Sequence, residues 1–223
     1  RTSVNDIIMK SYVITIMDNR DSQLSAQRCI ASGLNYDIQH FPAITPVDNL
    51  DKLLEENNIT NIDNFKKDGG QYSRYSNCVA AFLSHFHLWK ECINTNEAIL
   101  ILEHDAVFIN ALPNINFNKV ITLGKPSYGK YNTPTHLGVG PMVQAPYMKG
   151  AHGYIVNPIG AKELIEKAKT HAGPTDVFLN VNNFPDIQEY SPWIIEARDS
   201  FTTIQNHNGC RAKHNYSEAY RIL

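Results

Sequence analysis

One stretch of the chain constrains its fold more than any other. Residues 98–108 have the sequence AILILEHDAVF, in which an aliphatic run leads directly into Glu103, His104 and Asp105. A strand that is apolar on both faces is typical of the middle of a parallel sheet covered on both sides. The polar groups at its end carry a desolvation cost unless they have partners, and a divalent cation or a phosphate-bearing ligand would supply such a partner.

The segments before this strand predict an α/β fold. Two β-rich runs, SYVITIM at 11–17 and YDIQHFPAI at 36–44, flank a helical pattern that begins at Asp21. Asp21 or Ser22 is expected to cap this helix, and Gly33 is expected to end it. A β-α-β order of this kind is typical of an α/β sheet.

A long helix is predicted immediately before the aliphatic strand. Residues 77–93, NCVAAFLSHFHLWKECI, have one strongly apolar face and a second, milder one. Cys78 and Cys92 are expected to pack there as small apolar groups. His85 lies on the milder face, so the pattern leaves two interpretations: a hydrogen-bonded core histidine, or a histidine that lines a cleft.

The second half of the chain has weaker signals. Residues 124–150 are rich in Gly, Pro and Tyr, which favours a binding loop over a disordered surface loop. A short strand follows, and then a helix with Asn157 as its cap and Pro158 at its first position. A further short helix is predicted to begin near Thr175. It would leave Asp176 near a helix N-terminus, where a carboxylate is favoured.

Length and composition limit the possible architectures and partners. The chain has 223 residues, of which 43% are hydrophobic and 19% are charged, and this suits one domain of ordinary size. The net charge of -2 gives no polybasic footprint for general nucleic-acid binding. No apolar run is long enough for a transmembrane segment, and the four dispersed cysteines suggest a reducing compartment. We therefore expect a cytoplasmic protein, with peripheral membrane contact left open and no oligomeric state indicated.

The polar end of the aliphatic strand predicts the chemistry. In open α/β sheets, ligands bind at the carboxyl ends of the strands, which is where Glu103, His104 and Asp105 lie. Mg²⁺ and Mn²⁺ take carboxylate oxygens and share the rest of their shell with phosphates. A cation held in this way neutralises charge on a leaving diphosphate, as a nucleotide-sugar transferase requires.

Residues 77–108 as a whole resemble the central signature of glycosyltransferase family 25, which includes bacterial lipooligosaccharide and animal collagen galactosyltransferases. The matching positions are Cys78, Ser84, His85, Trp89, Glu103 and Asp105. His104 stands where the family usually has a middle Asp, which removes one carboxylate. The run at 11–28 and the segments GAHGYIVNPIGAKELI and PTDVFL are also similar to the family, so the resemblance covers most of residues 11–180.

The resemblance implies a GT-A fold, which is a Rossmann-like single-domain sandwich with a mostly parallel central sheet and helices on both faces. It further implies a UDP-sugar donor, Mn²⁺ or Mg²⁺ as cofactor, and an inverting transfer of a hexose to a glycan, lipooligosaccharide or protein hydroxyl. On this basis we expect one domain over residues 1–223. Its nucleotide-sugar half would span about 11–110 and its acceptor half about 111–223.

The same resemblance suggests roles for individual side chains. Asp105 is the best candidate metal ligand, with Glu103 as a second ligand or a ribose contact. Asp176 is the candidate base that takes the acceptor proton, with His85 next in line. The candidate donor-binding residues are Asp18, Arg20, Arg28, Ser84, Glu103 and His104. His207 or His214 would complete a metal shell.

Other classes of function stay open at this point. His104 in place of an acid suggests a GT-A-like binding protein with weak or lost activity. A nucleotidyltransferase would share the acidic metal site, but it should have a Gly-rich loop after the first strand, and MDNRDSQ contains no Gly. A third alternative is a glycosyltransferase that acts on modified nucleic-acid bases; the missing basic patch argues against duplex DNA as its acceptor.

Overall fold

The structure is a computed structural model that describes residues 9–67, 74–198 and 203–204. His207 and His214 lie outside the described residues. The strands are β1 (Lys10–Thr15), β2 (Ile38–Pro42), β3 (Ile99–Glu103), β4 (Ala106–Phe108), β5 (Val120–Thr122), β6 (Gly138–Pro141), β7 (Gly153–Val156), β8 (Gln188–Ser191) and β9 (Ile195–Ala197). The helices are α1 (Arg20–Ser32), α2 (Leu50–Glu56), α3 (Tyr75–Thr95), α4 (Pro158–His171) and α5 (Thr175–Phe178), with a 3₁₀ turn at Asp63–Lys66.

A seven-stranded sheet forms the centre of the described part of the chain, in the order β2-β1-β3-β7-β5-β8-β6. Strands β2, β1, β3, β5 and β8 run in one direction, whereas β7 and β6 run in the other. The predicted α/β architecture with a mostly parallel sheet is therefore confirmed. One detail differs, because β3 has a parallel neighbour in β1 and an antiparallel neighbour in β7.

The aliphatic run in β3 is buried on both faces, as its pattern predicts. Ile99 and Ile101 belong to the core beneath α2, α3, α4 and α5, whereas Leu100 and Leu102 face the core beneath α1 and the small β4-β9 sheet. Successive side chains of a strand point to opposite faces. Both faces of β3 are thus covered, and its carboxyl end is the place where the strand leaves the core.

The capping residues of the helices agree with the sequence predictions, with one correction. Asn157 caps α4 and Pro158 is its first residue, as expected. At α1 the cap is Asn19, whose side chain accepts a hydrogen bond from the backbone nitrogen of Ser22, rather than Asp21 or Ser22. Gly33 ends α1 as predicted. The earlier cap brings the start of α1 directly to the end of β1.

The Gly- and Pro-rich segment 124–150 is more regular than its composition indicates. Residues Gly138–Pro141 form β6, an edge strand paired with β8. Just beyond it, the buried Glu189 carboxylate on β8 accepts hydrogen bonds from the backbone nitrogens of Val143 and Gln144, both at 3.1 Å. The partner strand and this carboxylate stabilise a segment with little strand propensity of its own.

No helix in the described ranges is long and apolar enough to cross a membrane, in agreement with the hydropathy of the sequence.

Candidate active site

A cavity of about 510 Å³ lies at the carboxyl ends of β1, β2 and β3, with α3 as its wall. This is the edge at which open α/β sheets bind ligands. Five of the predicted site residues line it: Asp18, Ser84, His85, Glu103 and His104. The other lining residues come from the end of β1, from the start of α1, from the segment after β2, from the first half of α3 and from residues 203–204.

Glu103 is the last residue of β3, and its side chain is 27% exposed. One carboxylate oxygen, Oε1, lies 3.1 Å from Nε2 of His85. Burial raises the pKa of the Glu103 carboxyl above its usual range, and the nearby charge of Asp176 raises it further. The strand end thus presents a carboxyl group whose charge is costly unless a cation or hydrogen-bond donors compensate it.

His85 lies beneath Glu103 and is 1% exposed. Its Nδ1 atom is 2.9 Å from the hydroxyl oxygen of Tyr154 on β7, which also accepts a hydrogen bond from Trp89 Nε1 at 2.8 Å. Burial lowers the pKa of His85 to about 3, so the ring is neutral at physiological pH. Both interpretations of the sequence pattern hold, since His85 is a hydrogen-bonded core residue that also lines the cavity.

The Ser84 hydroxyl is hydrogen-bonded to two backbone groups. The oxygen donates to the carbonyl of Ala80 at 3.0 Å and accepts from the backbone nitrogen of Ile44 at 2.9 Å. The side chain is fully buried. It therefore ties the segment after β2 to α3 and holds two walls of the cavity together.

His104 follows Glu103 in the turn between β3 and β4. Its Nδ1 lies 2.8 Å from the hydroxyl of Ser22, which itself accepts a hydrogen bond from the backbone nitrogen of Ile16 at 2.9 Å. The imidazole is thereby held against the start of α1 while it lines the cavity. Asp18 and Arg20, at the same loop, are exposed, and of these two only Asp18 lines the cavity.

Asp105 and Arg28 are half-buried residues that do not line this cavity. The backbone carbonyl of Asp105 accepts a hydrogen bond from the backbone nitrogen of Arg198 at 3.0 Å. Both side chains act on the Cys29 thiol of α1. The pKa of Cys29 is raised to about 12, mainly by burial and also by the charge of Asp105, while Arg28 lowers it. Asp105 therefore lies on the α1 side of the strand end, whereas Glu103 lies on the α3 side.

The residues at the strand end fit a hard cation only with help from a ligand. No group of three or more His, Cys, Asp or Glu side chains with metal-binding spacing occurs in residues 9–67, 74–198 and 203–204. Of the two carboxylates at the strand end, Glu103 lines the cavity, whereas Asp105 lies on the α1 side. Mg²⁺ is commonly held by one or two carboxylates together with substrate phosphates, so Glu103 is the carboxylate that could hold a cation in this cavity.

Asp176 is in the first turn of α5 and is half-buried, and it does not line the cavity itself. The hydroxyl of Tyr128 donates a hydrogen bond to its Oδ2, and the backbone nitrogen of Val177 donates to Oδ1 at 2.9 Å. Burial raises the pKa of Asp176, while the hydrogen bond from Tyr128 lowers it. Its charge acts on the pKa values of both His85 and Glu103, so Asp176 is part of the same electrostatic site.

Two residues of this cluster were not assigned roles by the sequence analysis. Tyr154 appears in the sequence only as an apolar strand residue, and Tyr128 only as one of several loop tyrosines. His152 is a third neighbour, because its carbonyl accepts a hydrogen bond from the Glu103 backbone nitrogen at 3.1 Å, and its side chain is 2% exposed. No local pattern distinguishes them, since their contacts are made with distant segments.

The arrangement can bind an elongated polar ligand and can accept a proton. The cavity offers carboxylates, two histidines and backbone groups at the ends of three parallel strands. Next to it, Asp176 already accepts a hydrogen bond from a hydroxyl group. A carboxylate in that position is suited to general base catalysis on an acceptor hydroxyl.

Comparisons with solved structures include glycosyltransferases among the matches. A glycosyltransferase involved in the glycosylation of the major capsid of PBCV-1 has 9% identity and a TM-score of 0.41, over 87% of this chain and 94% of that one. Mouse xyloside xylosyltransferase 1 in its apo form has 12% identity and a TM-score of 0.39, over 80% of this chain and 83% of that one. A search of curated protein sequences gives no match.

A family model does match the sequence. It is described as glycosyltransferase family 25 (LPS biosynthesis protein), and it matches residues 8–137. The matched region includes β1, α1, β2, α3 and β3, and therefore every residue that lines the cavity except Thr203 and Ile204.

Proposed function

We propose, from the premise that the chain belongs to glycosyltransferase family 25, that it moves a hexose from a UDP-sugar to a hydroxyl acceptor. As a member of this family it is a glycosyltransferase, which joins a sugar donor to an acceptor. The acceptor class proposed here is a glycan, with lipooligosaccharide first because the family description names LPS biosynthesis. A protein hydroxyl is the alternative acceptor.

The observation that carries the donor proposal is the position of the cavity. It lies at the carboxyl ends of three parallel strands, where α/β proteins bind nucleotides, and its volume of about 510 Å³ is within the range of ligand pockets. The segment after β2 offers backbone groups, and the end of β1 offers Asp18. These are suitable contacts for a base and a ribose.

A divalent cation, Mn²⁺ or Mg²⁺, is proposed as cofactor, with Glu103 as its ligand at the cavity and Asp105, on the α1 side of the strand end, as the second candidate ligand. When bound, such a cation neutralises charge on the leaving diphosphate. Glu103 supports this assignment, because its carboxylate is partly buried beside the cavity. Burial and the charge of Asp176 raise the pKa of Glu103, and a bound cation would offset both effects. His104, held by Ser22, would contact the ribose or the diphosphate.

Asp176 is proposed as the general base of an inverting transfer. The acceptor oxygen forms a bond to the anomeric carbon, its proton moves to the Asp176 carboxylate, and the bond from the anomeric carbon to the diphosphate breaks and releases UDP. The contact with Tyr128 supports this role, since an O–H group already donates to Asp176 in the way an acceptor hydroxyl would. Burial also raises the pKa of Asp176, which strengthens it as a base.

The direct test is a screen of UDP-sugars by mass spectrometry, with and without Mn²⁺, followed by calorimetry with UDP. We expect turnover of at least one UDP-sugar, and UDP binding that weakens sharply when a chelator is added. Equal UDP affinity with and without metal would contradict the cation assignment. Absence of both turnover and UDP binding would contradict the proposed donor.

A further inference from the structure

A chain of hydrogen bonds connects the hydrophobic core to Glu103. Trp89 and His85 lie four residues apart on α3 and therefore share one face of that helix. Tyr154 reaches the same place from β7. The distances are 2.8 Å from Trp89 Nε1 to the Tyr154 hydroxyl, 2.9 Å from that hydroxyl to His85 Nδ1, and 3.1 Å from His85 Nε2 to Glu103 Oε1. We call Trp89, Tyr154 and His85 the positioning relay.

The Trp89 end sets the direction of the hydrogen bonds in the relay. An indole nitrogen only donates, so the Tyr154 oxygen accepts from Trp89 and directs its own proton to His85 Nδ1. The neutral imidazole then carries its proton on Nε2 and donates it to Glu103 Oε1. A carboxyl oxygen can accept this hydrogen bond, so the Glu103 end agrees with the direction that Trp89 sets.

Packing holds the relay in place. Trp89 and Tyr154 are fully buried, and His85 is 1% exposed. The Trp89 ring stacks on Phe178 with centroids 5.6 Å apart, and the His85 ring stacks on Tyr154 with centroids 5.8 Å apart. Water therefore does not compete for these hydrogen bonds, and a change of rotamer would have to disturb the core.

We propose that Trp89 and Tyr154 are positioning residues that act on the donor site through His85. The relay holds His85 as the Nε2–H tautomer, which fixes one oxygen of Glu103 and presents the other oxygen to the cavity in a set orientation. The part of this inference that concerns the donor rests on the proposed function. The part that concerns the tautomer depends only on the geometry of the protein.

Nitrogen-15 NMR of the histidine side chains tests the tautomer without any substrate. We expect His85 in the wild-type protein to carry its proton on Nε2 only, and Tyr154→Phe to weaken that preference, because Nδ1 loses its donor. A wild-type His85 that is protonated on Nδ1, or on both nitrogens, would overturn the proposal. This measurement on the wild type remains decisive even where Tyr154→Phe fails to fold.

Kinetics test the effect on the donor. Loss of a group that orients a binding residue typically costs about 10–100-fold, so Tyr154→Phe should raise the KM for the UDP-sugar by roughly that factor. The KM for the acceptor and the kcat at saturating donor should stay close to the wild-type values. The UDP dissociation constant, measured by calorimetry, should rise in parallel with the donor KM.

Tyr36→Phe is the matched control. The Tyr36 hydroxyl accepts a hydrogen bond from the Leu112 backbone nitrogen at 2.6 Å, and its ring packs against the core on the α1 face. Like the test variant, this substitution removes a hydrogen-bonded tyrosine hydroxyl that packs against a core, but Tyr36 is half-buried and makes no contact with His85. Equal donor KM and UDP affinity in wild type and Tyr154→Phe, or an equal loss in both variants, would overturn the positioning role. A wild type without transferase activity would instead contradict the proposed function, and UDP affinity would still report on the relay.

Discussion

Two carboxylates of the candidate site, Glu103 and Asp176, are held in different ways. Glu103, proposed for the donor side, is held by His85 and, through it, by side chains of the hydrophobic core. Asp176, proposed for the acceptor side, is held by Tyr128, which comes from the Gly- and Pro-rich segment 124–150, and by a backbone nitrogen. Burial raises the pKa of both carboxyl groups.

This difference indicates that the two carboxylates have different roles. A carboxylate held by buried side chains keeps one orientation, which suits a group that positions a cation or a diphosphate. A carboxylate held by a hydroxyl from a surface segment can exchange that hydroxyl for another one. We therefore expect substitutions on the donor side to affect mainly donor binding, and substitutions on the acceptor side to affect mainly the chemical step.

Asp176→Asn should have the largest effect. Without the base, transfer should fall by roughly two to four orders of magnitude, the usual range for general base catalysis, while UDP affinity stays near the wild-type value. Steady-state kinetics and calorimetry measure the two quantities, and circular dichroism checks folding. Asp186→Asn is the control, since Asp186 forms a surface ion pair with Lys119 at 3.0 Å. Transfer close to the wild-type rate in Asp176→Asn would rule out this base.

Asp105→Asn should reduce both donor binding and transfer. An interaction with a charged ligand contributes about 1.5–3 kcal/mol, so we expect UDP affinity in the presence of Mn²⁺ to fall roughly tenfold to a hundredfold. Affinity measured with chelator present should hardly change. A variant that binds UDP and Mn²⁺ as the wild type does would show that Asp105 is not a ligand of the cation. Glu103 would then be the single carboxylate proposed to bind it.

Tyr128→Phe should have the smallest effect on the rate of transfer. It should change specifically the pH dependence of kcat. The base must be ionised, so the rate falls as pH drops through the pKa of Asp176. The Tyr128 hydrogen bond lowers that pKa, and its removal should raise the pKa and move the acid limb of the kcat profile to higher pH. Tyr131→Phe is the control, because Tyr131 lies in the same segment and packs edge-on against Trp193. An unchanged acid limb in Tyr128→Phe would show that Tyr128 does not set the pKa of the catalytic base.

Much of the fold over residues 11–110 can be predicted because its signals are local. The strand, helix, strand order at the start of the chain, the long helix α3 and the aliphatic run of β3 each depend on residues that are adjacent in sequence. The polar end of β3 also predicts that Glu103 and His104 lie at the ligand-binding edge. The structure places both at the cavity, although it places Asp105 on the other side of the strand end.

The remaining features depend on contacts between segments that are far apart in the chain. Strand β6 has a Gly- and Pro-rich sequence and exists because β8 and Glu189 supply its partners. Tyr154 lies 69 positions from His85, and Tyr128 lies 48 positions from Asp176. A strand or a helix can be inferred from its own periodicity, since backbone geometry sets that period. The partner of a buried hydroxyl or carboxylate is decided only when the tertiary fold brings a matching donor or acceptor within about 3 Å of it, because hydrogen bonds act only at that range.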